Sequence, residues 1–192
     1  MLKNKIIVYL GRNNLIPIKD KKYLEALYEL KMKKKLDLQN PSTFNEKLQW
    51  LKLYDRNPKY IKLVDKYEVK QIVSDIIGEE YVVPTLGVYN NFDEIDFDTL
   101  PECFVMKCTH DSGSTILCRD KKNFDQRKAK KNLNKYLKRN FFYCGREWPY
   151  KNVHPRIIIE SLLKDEKQKD ILDYKFLCFN GKVRLCFVCS DR

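Results

Sequence analysis

Apolar residues recur at helical spacing over roughly the first 78 positions of the chain and then give way to short β-branched and aromatic runs. Tyr23, Leu24, Leu27, Tyr28 and Leu30 form one stripe, which predicts a helix over residues 20–36, ended before the polar turn Gln39-Asn40-Pro41. Ser42 or Thr43 stands three to four residues ahead of Glu46, a capping-box spacing, so a second helix starts there. Its expected buried stripe is Phe44, Leu48, Leu51 and Leu53 or Tyr54, with Trp50 packed beside them. A third helix is predicted over residues 60–77 and closed by Gly78, with Asp65, Lys66 and Lys70 set among Ile61, Val64, Val69, Ile72 and Val73. Beyond Gly78, residues 81–84, 87–89 and 103–108 read as strands. A basic helix follows between Asp120 and Asn140, then strands over 156–163 and 174–189, the latter turning at Asn180-Gly181. The expected class is α+β.

Composition narrows the picture. The chain has 192 residues, of which 43% are hydrophobic, enough for one ordinary domain or two small ones. Twelve Tyr and ten Phe argue against disorder despite the charged fraction of 33%. The apolar run Ile6-Ile7-Val8-Tyr9-Leu10 is too short for a spanning helix or a signal-peptide core, so the expected location is the cytoplasm. Seven cysteines, mostly in or beside apolar runs, read as reduced core thiols; Cys186 and Cys189 form one C-x-x-C with no second pair or His to complete a zinc site.

The net charge of +12 attracts nucleic acid, an acidic polymer, an anionic membrane surface or a nucleotide alike. Much of it lies in Lys31 to Lys35 and Lys128 to Lys138, where a solvated helix face accounts for it. The aromatics share helical spacing with Leu and Val, which suits core packing better than base stacking, so no specific nucleic-acid partner is expected.

Four places carry candidate chemistry. In Phe104-Val105-Met106-Lys107-Cys108, Lys107 sits inside an apolar strand and must either snorkel to an edge or meet an anion. The loop after it, Thr109-His110-Asp111-Ser112-Gly113-Ser114-Thr115, has the small polar residues whose amides can line a phosphate, or it is a plain hairpin turn. Glu160 ends the apolar run Arg156-Ile157-Ile158-Ile159 and is either exposed at the strand end or functional. Asp173 and Lys175 share one strand face opposite Tyr174 and form either a surface ion pair or part of a site. Neither His110 nor His154 falls into a catalytic triad or H-E-x-x-H spacing; His154, before Pro155, reads as structural.

The order of Asp65-Lys66-Tyr67 with Lys70, the Val83-Pro84-Thr85 strand start, Lys107 with its glycine loop and then Glu160 resembles the ATP-grasp superfamily. More narrowly, Pro41-Ser42-Thr43-Phe44-Asn45-Glu46-Lys47, Val105-Met106-Lys107-Cys108-Thr109-His110-Asp111-Ser112-Gly113, Arg146-Glu147-Trp148-Pro149-Tyr150 and Asp173-Tyr174-Lys175-Phe176 resemble the TupA-like ATP-grasp family, named for teichuronopeptide biosynthesis, over about residues 20–192. The resemblance implies two α+β lobes around a nucleotide cleft: a helical region at 1–78, a first lobe at 79–155, and a hinge with the start of a second lobe at 156–192. It places ATP between the lobes, with Lys107 on the α and β phosphates, Lys66 as an auxiliary lysine, and His110, Asp111, Ser112, Gly113 and Ser114 closing over them. Glu160, Ser161, Leu162 and Leu163 become the hinge that meets adenine, Asp165 or Glu166 serves the ribose, and Lys175 points at the γ-phosphate or the acceptor.

The implied activity is a carboxylate–amine ligase working through an acylphosphate on a capsule, teichuronopeptide or lipopolysaccharide component. Its implied partners are ATP, an acidic saccharide acceptor and membrane-bound biosynthetic machinery touched peripherally. The family's late Mg2+ ligands fall beyond Asp191-Arg192, so the expectation is a C-terminally truncated fragment. The rival is a glycosyltransferase, for which Asp96-Phe97-Asp98 has D-x-D spacing but sits in what reads as a helical turn and loop.

Overall fold

The structure, a computed structural model, describes residues 1–163 and 171–189. Seven helices and six strands lie along the described chain: α1 Leu2–Arg12, α2 Asp20–Met32, α3 Phe44–Tyr54, α4 Lys59–Val64, α5 Glu68–Ile77, β1 Thr85–Tyr89, β2 Phe104–Cys108, β3 Ile116–Cys118, α6 Gln126–Leu137, α7 Phe142–Gly145, β4 Ile157–Ser161, β5 Asp173–Phe179 and β6 Lys182–Cys189. Both sheets are antiparallel, and the class is α+β. No helix among the described residues is long and apolar enough to cross a membrane.

The larger sheet has the order β1-β4-β2-β3, so β4 is hydrogen-bonded on both sides. One of its faces builds the core. Phe104, Met106 and Cys108 alternate along β2, Ile157 and Ile159 lie beside them on β4, and Ala129 and Leu133 of α6 cover them with Phe92, Ile95 and Leu100 from the two short 3-10 turns before β2. Alternation along a strand sends every second residue to the opposite face. There the register sets Val105 beside Glu160 and Lys107 beside Ile158.

Local chemistry explains the helix limits. Thr43 and Glu46 form the predicted capping box, with Thr43 N–H donating to Glu46 Oε2 at 2.9 Å and Glu46 N–H to Thr43 Oγ1 at 3.3 Å. These bonds from Thr43, helped by Lys34 and Ser42, hold the Glu46 carboxyl at about 2, down from 4.5. A carboxyl depressed in the fold adds stability above its unfolded value that is lost as pH falls through the folded one. In acid titrations followed by circular dichroism, the wild type is expected to lose this contribution between 4.5 and about 2. Glu46→Gln keeps the capping geometry and should lack that component; identical acid limbs for the two proteins would refute the assignment.

The predicted helix over 60–77 is two helices. Asp65 breaks it by accepting Tyr67 N–H at 2.8 Å and Glu68 N–H at 3.4 Å, thereby starting α5 with its own carboxylate. The helix predicted to run to residue 36 stops at Met32, because Lys33 turns left-handed at φ 59°. Residues 81–84 do not form a strand: a 3-10 turn at Glu79–Tyr81 follows Gly78, and β1 begins only after Pro84, which has no N–H to give a ladder.

The stripe predicted to be buried on α3 is largely exposed, Phe44 at 57%, with Leu48, Leu51, Tyr54 and Trp50 also open. It borders a groove shared with Trp148, Pro149 and Tyr150 instead of entering the core, and Phe44 meets Phe179 of β5 edge-on at 6.2 Å. Cys178 and Cys186 are exposed rather than core thiols, because the β5–β6 hairpin has no covering layer among the described residues; Cys108 and Cys118 are buried. Cys186 and Cys189 point to opposite faces of β6, as the strand period requires. The hairpin turn is at Asn180-Gly181, both with positive φ (51° and 73°), the conformation that an Asn-Gly turn supplies.

Candidate functional site

The opposite face of the larger sheet is polar and is crossed by the α4–α5 elbow. From β2 it presents Val105 and Lys107 and, just past the strand, Thr109; from β4 it presents Ile158 and Glu160, preceded by Arg156. Glu160 is only 5% exposed, so the reading of an exposed strand-end carboxylate is overturned. It is buried because two lysines neutralise it: Lys70 of α5 at 2.6 Å and Lys107 of β2 in an ion pair on its other oxygen. Lys70 also donates to the Val83 carbonyl, tying α5 to the start of β1. Lys107 therefore meets an anion, and its side chain remains 24% exposed while Glu160 is sealed beneath it. An ammonium carries three donors, so that partial exposure leaves Lys107 able to bind a second anion.

Beside this cluster, Arg156 bonds Asp65 at 2.8 Å and Glu68 at 3.0 Å and lies over the Tyr67 ring at 4.7 Å. Asp65 thus both breaks the predicted helix and anchors the elbow to the sheet. The backbone of Lys66 donates to the Thr109 carbonyl at 3.1 Å, and its ammonium reaches the Asp111 carbonyl. Burial lowers the Lys66 pKa, partly offset by Asp111.

Those contacts pin the β2–β3 loop. Ser114 Oγ accepts from Cys108 N–H at 2.8 Å and donates to Asp111 Oδ1 at 2.6 Å, and Thr109 N–H donates to the Arg156 carbonyl at 2.9 Å. His110 Nε2 lies 2.9 Å from the Arg139 carbonyl. Burial lowers the His110 pKa, against the Arg139 carbonyl and Asp111, so the ring is neutral at pH 7. With Nε2–H donating, Nδ1 is an acceptor, and both it and Asp111 Oδ2 are buried without a hydrogen-bond partner among the described residues. Ser112 and Gly113 stay exposed at the tip, where Gly113 adopts φ 98°. The Cys108 thiol below the loop is pushed up to about 12 by burial and is chemically quiet.

Flanking the cluster is a cleft of about 560 Å³ between α5 and the start of β1, lined by Lys70, Gln71, Ser74, Val83, Pro84 and Thr85 among others. A volume of that size suits a small ligand. The cleft touches the ion-pair cluster through Lys70 and takes no lining from the loop.

The TupA-like ATPgrasp family model matches residues 46–192. The chain belongs to that family. No curated protein and no solved structure matches it. The ATP-grasp family points to an enzyme with an ATP-dependent, ligase-like role.

In this TupA-like ATP-grasp chain, Lys107 and Glu160 share one face of the larger sheet with Lys70 paired to Glu160, and Lys66 ties down the loop that holds Asp111 and Ser114, with Ser112 and Gly113 at its tip, whereas His110 turns toward the Arg139 carbonyl just past the end of α6. Ser161 closes β4, its N–H donating to the Pro84 carbonyl at 3.0 Å, and Leu163 is exposed. Lys175 is paired with Asp173 within the hairpin, and no described contact joins it to the cluster. Asp165 and Glu166 lie outside the described residues. Asp96 accepts the Asp98 N–H at 3.0 Å to cap a 3-10 turn, so the D-x-D spacing is spent on local structure. His154 is held by Asn90 at 3.2 Å.

Sequence reasoning gave no role to Arg156 and left Lys70 unassigned. Arg156 was within reach, because it and Glu160 are four apart on a strand and register with β2 puts them on the face of Lys107; Lys70 was not, because Lys66 lies in the break before α5 and helical spacing does not relate the two.

Proposed function

We propose that this chain binds the nucleotide of an ATP-dependent carboxylate–amine ligase acting in bacterial capsule, teichuronopeptide or lipopolysaccharide biosynthesis in the cytoplasm. The observation that carries the reading is the Lys107–Glu160–Lys70 cluster. A strand lysine is fixed by a sealed carboxylate, with its side chain still partly exposed, next to a loop tethered by Lys66. Such preorganisation is what phosphate binding needs, because the cation is aligned before the ligand arrives.

The residues fit a nucleotide. Gly113 has positive φ, and a Cβ there would meet nothing closer than 3.7 Å, leaving room for close approach of the loop backbone. Lys107 then takes the α and β phosphates, Lys66 holds the loop's backbone from behind, and His110 to Ser114 cover the phosphates. We place the hinge at Leu162 and Leu163, directly after Ser161 closes β4, because β4 is bonded on both sides within the first sheet. Lys175 acts on the γ-phosphate or the acceptor once the hairpin is brought over the cleft.

ATP supplies the phosphoryl group: its γ-phosphoryl passes to a carboxylate oxygen, ADP leaves, and an amine displaces phosphate from the acylphosphate. The chain's own residues orient the phosphates and offset their charge. Among the described residues no group of three or more His, Cys, Asp or Glu is placed to hold a metal, so the magnesium expected with ATP has no site built from them and no step is assigned to it.

Thermal denaturation with ATP and with nucleotide sugars, each with and without magnesium, tests the proposal. ATP at a hundredfold excess over its Kd should stabilise the chain by about 2.7 kcal/mol. A shift with nucleotide sugars alone would instead favour a glycosyltransferase, and no shift with any ligand would remove the nucleotide site.

A further inference from the structure

Away from the Lys107 cluster, a pocket of about 620 Å³ opens between the ends of α1, α6 and α7. Arg12, Lys135, Lys138 and Arg139 line it together with Asn13, Asn14, Asn140, Tyr143 and Cys144, and no carboxylate is among the lining residues. The cleft beside Lys70, by contrast, is lined by both signs, Glu68 and Glu79 as well as lysine. None of the four cations forms an ion pair within the described residues. Arg139 lies over the Tyr136 ring at 5.1 Å and gives a weak bond to Cys144 Sγ at 3.5 Å.

Part of this charge has a local purpose. Arg12 ends α1 and Lys135 lies in the last turn of α6, where cations offset the negative pole of a helix. Two helix ends amount to about one negative charge, against four cations, so roughly three positive charges remain over the pocket. Concave walls lined by one sign of charge focus the field on whatever enters.

The geometry points to an acidic sugar unit as the ligand: we infer that the pocket binds an acidic saccharide at a point separate from the Lys107 cluster. The anionic group, carboxylate or phosphate, meets the four cations. Hydroxyls meet the asparagines, of which Asn14 makes no side-chain hydrogen bond within the described residues. Nucleic acid is the poorer fit, since single strands bind by stacking bases on open aromatic faces. The pocket's aromatic, Tyr143, has its ring between Arg146 at 5.0 Å and Phe142 at 5.4 Å. The pocket borders the proposed phosphate loop through Arg139, a lining residue whose carbonyl accepts the His110 Nε2–H.

Calorimetric titration of the whole chain with a galacturonate oligosaccharide, its methyl ester, glucose 1-phosphate, inorganic phosphate and a single-stranded oligonucleotide tests this. The acidic oligosaccharide or the sugar phosphate should bind, whichever is tighter naming the anion, while the neutral ester should not. Lys135→Glu with Lys138→Glu, both exposed and outside the Lys107 cluster, should weaken binding by about tenfold or more and leave the ATP-induced thermal shift unchanged. Equal affinity in the double variant, tightest binding by the oligonucleotide, or inorganic phosphate matching the sugars would each overturn the assignment. Loss of the ATP shift in wild type with saccharide binding intact would sink the ligase reading and leave the pocket standing.

Discussion

Lys107→Ala is expected to remove most of the thermal stabilisation that ATP confers, while leaving the ligand-free chain folded and close to wild type in stability. The two effects separate because Glu160 has a second partner. When Lys107 is removed, Lys70 stays 2.6 Å from the buried carboxylate, so no uncompensated charge is left behind. A phosphate that loses a charge-assisted donor forfeits about 1.5–3 kcal/mol, roughly ten- to a hundredfold in affinity. Glu160→Gln makes the complementary case. It keeps both lysines but removes the anion that aligns them, setting Lys70 and Lys107 against each other, so ATP binding should weaken less than in Lys107→Ala and the apo chain should lose more. Titrating ATP against both variants under the same salt, with apo midpoints measured alongside, checks the pair of expectations. An unchanged ATP affinity in Lys107→Ala would overturn the site.

What the chain order alone disclosed follows from which interactions are local. The Thr43–Glu46 capping box, the Asn180-Gly181 turn and the β2 and β4 segments were legible because each depends on neighbours a few residues away. The break at Asp65 was not, since Ile61, Val64, Val69 and Ile72 keep helical spacing through it. An aspartate turns from a helix residue into a cap when something holds its carboxylate outside the helix, and here Arg156, 91 positions away in sequence, does so. The α3 stripe failed for a related reason: periodicity shows that a helix has an apolar side but not what covers it. Glu160 shows the reverse. Exposure at the strand end was one of its two readings from sequence, and two lysines from separate elements instead offset the cost of burying it.

Arg146→Ala is expected to destabilise the chain by ~3 kcal/mol, about 6–12 °C in Tm for a chain of this size. Arg146 belongs to the Arg146-Glu147-Trp148-Pro149-Tyr150 stretch on which the family resemblance partly rests, yet its surroundings are structural. The side chain is 2% exposed. Its guanidinium lies over the rings of Tyr23 at 4.2 Å, Tyr143 at 5.0 Å and Phe142 at 5.1 Å, and its Nε stands 3.2 Å from Asp20 Oδ1. It also donates to the Gly11 carbonyl at 3.3 Å, so one residue fastens α1, α2 and α7 together. Cation–π contacts removed from water contribute up to about 2 kcal/mol, and the Gly11 bond and the packing of the buried side chain supply the rest; Asp20, 29% exposed, keeps Arg56 at 3.6 Å and so is not left as a buried unpaired charge. Lysine would not restore the site, because an ammonium cannot lie flat against three rings while reaching both Asp20 and Gly11. Its φ of 54° adds a backbone requirement that alanine tolerates no better than arginine, so the measured loss reports the side chain. Chemical denaturation of Arg146→Ala and Arg146→Lys should therefore place both well below wild type. In Arg146→Ala the ATP affinity of the folded fraction should be unchanged, because no contact of Arg146 reaches Lys107, Glu160 or the β2–β3 loop. A variant as stable as wild type but unable to bind ATP would move Arg146 from the framework of the fold into the nucleotide site.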